Sequence, residues 1–286
     1  MKITCDKQKL NEAVLNIQRA VSSKSSIPAL EGILLRADQD SLQLYGYDLE
    51  LGITTVLDCK TEEKGSIVLS ARLLGEIVRR LPAPTVTISS GEKQITMIKS
   101  GEAEYSIVGI PAEEYPELPT VSSETSLKLP SETLRSMIRQ TLFAVADNDA
   151  KPIHTGTLFE LEPDHIRLIS VDGYRLAIRE ESIRCDLKTS FVVPGKTLSE
   201  VLKLLGDSDE ELELQISRRH ILFSIRNYTV ISRLLEGEFL DYRAAIPNEC
   251  STEMKVSTQD FISSIERVSL LITDRLKSPV RCIFGD

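Results

Sequence analysis

The sequence predicts an α+β protein in which one module is repeated in tandem, each module being two strand–helix–three-strand halves. Three observations carry this prediction. The chain overlays itself at a shift of 124 residues. Helical and strand periodicities alternate in the same order within each copy. Pro/Ser/Glu-rich stretches at 111–126 and 246–253 separate the copies.

At that shift Leu10 meets Leu134, Ala20 meets Ala144, Pro28 meets Pro152, Gly32 meets Gly156, Leu44 meets Leu168 and Asp48 meets Asp172. SIVLSARLLGEIVRRL (66–81) lies on SFVVPGKTLSEVLKLL (190–205) without a gap, and Glu114-Tyr115 lies on Glu238-Phe239. The copies are expected at 1–120 and 127–247. A third opens at 254–286, where Lys255, Phe261, Ile265 and Pro279 match Lys128, Leu134, Ile138 and Pro152 at a shift of 127. PVRCIFGD is expected to end the chain inside a strand. An unpaired edge and an uncovered helix face would follow, which predicts a truncated third module. The alternative is a naturally short chain closing in a hairpin.

KITC (2–5) reads as a strand. Residues 7–21 read as a helix with Asp6 as N-cap and Leu10, Val14, Ile17 and Val21 on one face. Strands follow at 31–37, 41–46 and 49–59, with turns at 38–40 and 47–48. The second half runs strand 67–70, helix 71–81 and strands near 85–90, 93–99 and 103–110, with a hairpin turn at 89–92. In the second copy the helices fall at 131–146 and 196–205.

Composition narrows the function. The 286 residues are 41% hydrophobic and 27% charged, an ordinary globular balance, with a net charge of −9. A role with nucleic acid therefore requires a local basic surface. Trp is absent and aromatics are 5%, thin for stacking bases. No signal-peptide core or spanning helix is readable, and the five scattered cysteines form no CxxC, so a cytoplasmic protein with reduced thiols is expected. His154, His165 and His220 lack metal-ligand spacing. No phosphate loop, GxGxxG, GxSxG or HExxH occurs, and neither a catalytic group, a metal nor a cofactor is expected. Asp48 and Asp172 read as turn residues bonding their own backbone rather than as an acid–base pair.

The exposed helix positions carry the informative charge. Lys7, Lys9 and Arg19 stand against Glu12; Arg72, Arg79 and Arg80 against Glu76; Arg135 and Arg139 against Glu132; Lys196 and Lys203 against Glu200. All four helices lean basic in an acidic protein, which points to a positive face opposing a polyanion without sequence preference. One polyanion is duplex DNA. Another is a polyanionic metabolite bound by a repeat-built enzyme or small-molecule binder.

The opening MKIT, SIPALEGILL (26–35), YGYDLE (45–50), VDGYRLA (171–177), FVVPGKTL (191–198) and LLEGEFLDYRAAIP (234–247) resemble, in this order and across the whole chain, the bacterial β sliding clamps, the processivity subunits of DNA polymerase III. The resemblance implies clamp domains with helices on the inner face and sheets outside. It implies a head-to-tail homodimer ring around double-stranded DNA that tethers the polymerase in replication, and no catalysis. It implies DNA contacts at Lys24, Arg72, Arg79, Asn148 and Lys151; Lys196 and Lys203 follow from the repeat.

It further implies a pocket for short peptide motifs of the replicative polymerase, the clamp loader and repair proteins, with walls at His154, Val171, Gly173, Tyr174, Arg175, Leu176, Leu240, Ala244 and Ala245. Leu240 stands where the family often has Pro, Ala244 where Arg is frequent, and His154 where an apolar residue is frequent. With most of the third domain absent, the chain as written is expected not to close the usual two-chain ring. A ring closing with more subunits is the variant reading.

Overall fold

A computed structural model of the chain describes residues 1–121, 125–147, 151–206, 210–247, 249–272 and 279–283. It divides into two units, Met1–Phe239 and Leu240–Asp286.

In the first unit, copy one contains β1 (Lys2–Asp6), α1 (Lys7–Ile17), β2 (Gly32–Asp38), β3 (Ser41–Tyr47), β4 (Leu51–Asp58), β5 (Lys60–Glu63), β6 (Gly65–Ser70), α2 (Ala71–Arg80), β7 (Thr85–Ser90), β8 (Ile95–Ser100) and β9 (Ala103–Val108). Copy two contains β10 (Thr125–Pro130), α3 (Ser131–Thr141), β11 (Gly156–Glu162), β12 (His165–Val171), β13 (Leu176–Ser182), β14 (Thr189–Pro194), α4 (Gly195–Leu204), β15 (Glu211–Ile216), β16 (His220–Ile225) and β17 (Tyr228–Arg233).

The sheets show the repeat directly. One sheet has the order β5-β1-β7-β8-β9, a second β10-β15-β16-β17-β4-β3-β2-β6 and a third β13-β12-β11-β14, all antiparallel. The run β1-β7-β8-β9 in copy one is β10-β15-β16-β17 in copy two, and β4-β3-β2-β6 is β13-β12-β11-β14. The eight-stranded sheet therefore joins the two copies through β17 and β4, with Val230 opposite Ile53. By the same correspondence, β9 is the copy-one counterpart of β17 and β13 the copy-two counterpart of β4. Each ends its own sheet.

Local chemistry explains the elements. The Asp6 carboxylate accepts from the Lys9 N–H at 2.8 Å and caps α1, a contribution of about 1 kcal/mol. Leu10, Val14 and Ile17 of α1 are fully buried, as are Leu74 and Val78 of α2, Leu134 and Ile138 of α3, and Leu198 and Val201 of α4. Each such burial contributes about 1.5–3 kcal/mol. Both first helices end earlier than their apolar spacing predicts. They tighten into 3-10 turns at Gln18–Ala20 and Leu142–Ala144, which are repeat equivalents. Above the first of these turns, α2 carries Gly75; a Cβ there would come within 2.3 Å of Gln18 Nε2, and the Gln18 side chain donates to the Ala71 carbonyl. The added strand β5 is polar and largely exposed, without the alternation that marks a half-buried strand, and it forms by pairing with β1.

Both turn aspartates behave as expected. Asp48 Oδ1 accepts from the N–H groups of Glu50 and Leu51, at 3.0 and 2.7 Å, and Asp172 Oδ1 from those of Tyr174 and Arg175, at 3.0 and 3.1 Å. Cys5, Cys59 and Cys185 are buried, and burial pushes the Cys5 thiol up to about 12, far from nucleophile chemistry.

The second unit contains a 3-10 turn at Tyr242–Ala245 and α5 (Thr258–Ser269), capped by Ser257, whose Oγ accepts from the Asp260 N–H at 3.4 Å. Phe261, Ile262, Ile265 and Val268 of α5 are exposed. The strand expected within PVRCIFGD is not found: residues 279–283 are irregular, because none of the described residues supplies them with a ladder partner. Residues 284–286 lie outside the described residues.

Candidate nucleic-acid interface and partner wall

Within the first unit, α1 packs on α2 and α3 on α4. Arg19, in the 3-10 turn after α1, reaches Glu200 of α4 with Nε–Oε2 at 3.9 Å. The helices therefore form one layer, ordered α2, α1, α4, α3. Arg72 and Arg79 are exposed on α2, seven residues apart and so on one face. Lys196 and Lys203 are their repeat equivalents on α4, also exposed. Lys24 and Lys151 are exposed in the loops that follow α1 and α3. Asn148 lies outside the described residues.

Three of these cations, Arg79, Lys196 and Lys203, meet carboxylates. Arg79 is 3.6 Å from Glu76, which also holds Arg80. Lys203 is 2.8 Å from Glu200, and Arg135 is 3.3 Å from Glu132. Lys196 crosses between the copies to Asp48, whose side chain is only 10% exposed. Arg19, counted in the sequence among the cations of a basic face, turns out to be a joint residue. Its buried Nη1 has no hydrogen-bond partner among the described residues, and its charge meets Glu200 of the other copy. Further bonds complete that joint: Asn16 Nδ2 donates to Tyr228 Oη at 2.9 Å, Thr55 Oγ1 to the Asn227 carbonyl at 2.9 Å, and the Arg233 N–H to the Glu50 carbonyl at 2.9 Å. Sequence reasoning missed these pairs because the partners lie far apart in the chain. Knowledge of the β17–β4 register would have been needed to find them.

The second group of candidates centres on the loop between β12 and β13. Asp172 pins it: besides the two backbone bonds, Oδ2 accepts from Arg175 Nε at 2.8 Å. The Tyr174 N–H bond, then that of Arg175 and the guanidinium, hold the Asp172 carboxyl below the usual carboxylate range. Gly173 sits at φ +90°, in the left-handed region, and Tyr174 is 100% exposed. Arg175 stacks over the Phe143 ring at 5.7 Å. Leu176 is half-buried, and Val171 is buried at the end of β12.

His154 is half-buried, its ring edge-on to Phe239 with centroids 5.5 Å apart. Burial, and then the Lys151 charge, hold its imidazole below the ordinary range. Phe239 also lines a groove of about 410 Å³ with Phe191, Val192, Arg219 and Leu235. In the second unit, Leu240 is 42% exposed, and Ala244 and Ala245 are exposed in the 3-10 turn beside the Arg243–Tyr242 stack.

Tandem modules with a shared sheet on one side and a layer of basic helices on the other define a repeat-built scaffold that offers charge and surface. Comparison with known proteins agrees. Residues 1–119 match the family model for the DNA polymerase III beta subunit, N-terminal domain, and residues 128–241 that for its central domain. The chain is 35% identical to the beta sliding clamp of Bacillus subtilis (strain 168) over 291 residues, spanning 98% of this chain and 77% of that protein. It superposes with a TM-score of 0.92 at 36% identity on a putative DNA polymerase III beta subunit from Eubacterium rectale, over 96% of this chain and 75% of the other. The sliding clamp structure from Bacillus subtilis gives the same TM-score, identity and coverage. The chain belongs to the beta sliding clamp family of DNA polymerase III beta subunits.

Proposed function

We propose that this chain is a DNA sliding clamp: a non-catalytic processivity factor that encircles duplex DNA and tethers the replicative polymerase and other DNA-handling proteins. One observation carries the structural side of that reading. Arg72 and Arg79 on α2 recur as Lys196 and Lys203 on α4, at the same repeat positions of two helices in one layer. Together with Lys24, Asn148 and Lys151 they are assigned to the phosphate backbone. Such contacts position without reading sequence and exchange quickly at ordinary salt. Retention then depends on topology, which needs no bond-making residue.

The domain assignment is 1–120 and 127–247, with a third module opening at 254–286. Support comes from the family-model limits and from α5, which begins 127 residues after α3. For partners, His154, Val171, Gly173, Tyr174, Arg175 and Leu176 are assigned to short peptide motifs. An exposed ring on a loop pinned from within binds at little ordering cost. Leu240, Ala244 and Ala245 are assigned to the same kind of contact. A head-to-tail homodimer is assigned to the protein with its third module complete: by the repeat, β13, the counterpart of β4, is the edge a third module would join, and β9, the counterpart of β17, is the edge left for a second copy. Among the described residues no helix is long and apolar enough to cross a membrane, and the assigned place of action is the cytoplasm, with the DNA.

Replacing Arg72, Arg79, Lys196 and Lys203 together by Ala tests the DNA assignment. The slope of log affinity against log salt for a short duplex should flatten by about 0.9 for each phosphate contact removed. An unchanged slope would show that DNA does not meet this face.

A further inference from the structure

Glu76 and Glu200 occupy the same repeat position on the two second helices, and each holds the basic residue three places further on. Glu76 takes Arg79 at 3.6 Å and also Arg80; Glu200 takes Lys203 at 2.8 Å and, from the other copy, Arg19 at 3.9 Å. Arg79 and Lys203 are two of the cations assigned to DNA. A carboxylate has therefore been placed, twice and in register, beside a cation that should meet phosphate. In copy two this is done at some cost. The Glu200 side chain is only 13% exposed, and among the described residues its buried Oε2 has no hydrogen-bond partner, nor has the buried Nη1 of Arg19. Optimising an outer helix face for phosphate affinity would leave these positions neutral.

We propose that Glu76 and Glu200 are positioning residues that compete with phosphate for Arg79 and Lys203, weakening each individual DNA contact so that the protein slides instead of gripping. A phosphate reaching either cation must displace a carboxylate already there. When it leaves, the carboxylate returns, so the energy difference between successive registers along the duplex is reduced. The carboxylates also lower the local positive potential that attracts the phosphates. The inference rests on the reading of the helix layer as the DNA-facing surface.

The test uses the whole chain, a short duplex and a salt series. Glu76→Gln is the primary variant, because the Glu76 side chain is 44% exposed, against 13% for Glu200. Glu200→Gln is the second, with its melting temperature checked against the parent because Glu200 also serves the joint. Glu104→Gln is the control. Glu104 pairs with Lys99 at 2.9 Å across β8 and β9, so this variant makes the same change in net charge on the sheet. Arg79→Ala and Lys203→Ala report on the DNA-facing reading itself.

Glu76→Gln is expected to tighten duplex binding by about two- to fivefold at low salt, the range that competition from an exposed ion pair allows. The salt slope should steepen by up to about 0.9 as one further phosphate is neutralised. One-dimensional diffusion on DNA should slow, and Glu104→Gln should do none of this. If Glu76→Gln and Glu104→Gln behave alike while Arg79→Ala and Lys203→Ala weaken binding, the competition is overturned and the DNA-facing reading stands. If Arg79→Ala and Lys203→Ala leave binding and slope unchanged, both are overturned.

Discussion

Asp172 shows how much one side chain decides in the loop between β12 and β13. Its carboxylate accepts from two backbone N–H groups and from the Arg175 guanidinium, which is why its pKa lies below the ordinary value of 3.8. A carboxyl depressed in the folded state contributes stability that is complete above the unfolded value and is lost as the pH falls through the folded one. The stability gap between the parent and Asp172→Asn should therefore be constant from neutral pH down to about 3.8. Below that it should shrink, as read by urea unfolding across pH; a gap that narrows already between pH 7 and 5 would contradict this origin. The turn role of Asp172, and that of Asp48, was legible from sequence because an Asx turn needs only local residues. The second duty of Asp48, holding Lys196 from the other copy, was not legible, since nothing in the local sequence names a partner 148 residues away.

At the scale of elements, the helix faces and most strands follow from periodicity, and the cap at Asp6 follows from its place before the first apolar turn. Periodicity overran at Val21 and Ala146, where the apolar spacing continues but the chain has tightened into a 3-10 turn and left the helix. It passed over β5, whose Lys60–Glu63 segment is a strand only because β1 offers it an edge. The same principle removed the expected strand at 279–283. A helix satisfies its own backbone, whereas a strand needs a neighbour that sequence does not display. The joint between the copies is the element-level feature with the clearest energetic consequence. Tyr228→Phe removes the hydroxyl that accepts from Asn16 and leaves the rest of β17 in place. Unfolding free energy should fall by about 0.5–1.5 kcal/mol. Combining it with Asn16→Ala in a double-mutant cycle should give a coupling energy of similar size, and additive effects would show that the bond does not link the copies.

For the molecule as a whole, the repeat was the strongest signal in the sequence, and it reappears as matched strand orders in the sheets and as one layer of four helices. The basic lean of those helices was legible as well. Its tempering was not, because Glu76 and Glu200 counted only as minor subtractions until their distances to Arg79 and Lys203 were known. A surface on which Arg79, Lys196 and Lys203 are already engaged by carboxylates fits weak, exchanging phosphate contacts. On its own it would release DNA readily, and encirclement supplies the retention. The most direct measurement follows the clamp with its third module complete after a clamp loader has placed it on nicked circular DNA, before and after one cut that linearises the circle. The account predicts long residence on the closed circle and rapid loss from the free ends. Equal residence on both forms would contradict it, since the protein would then be held by contact and not by topology.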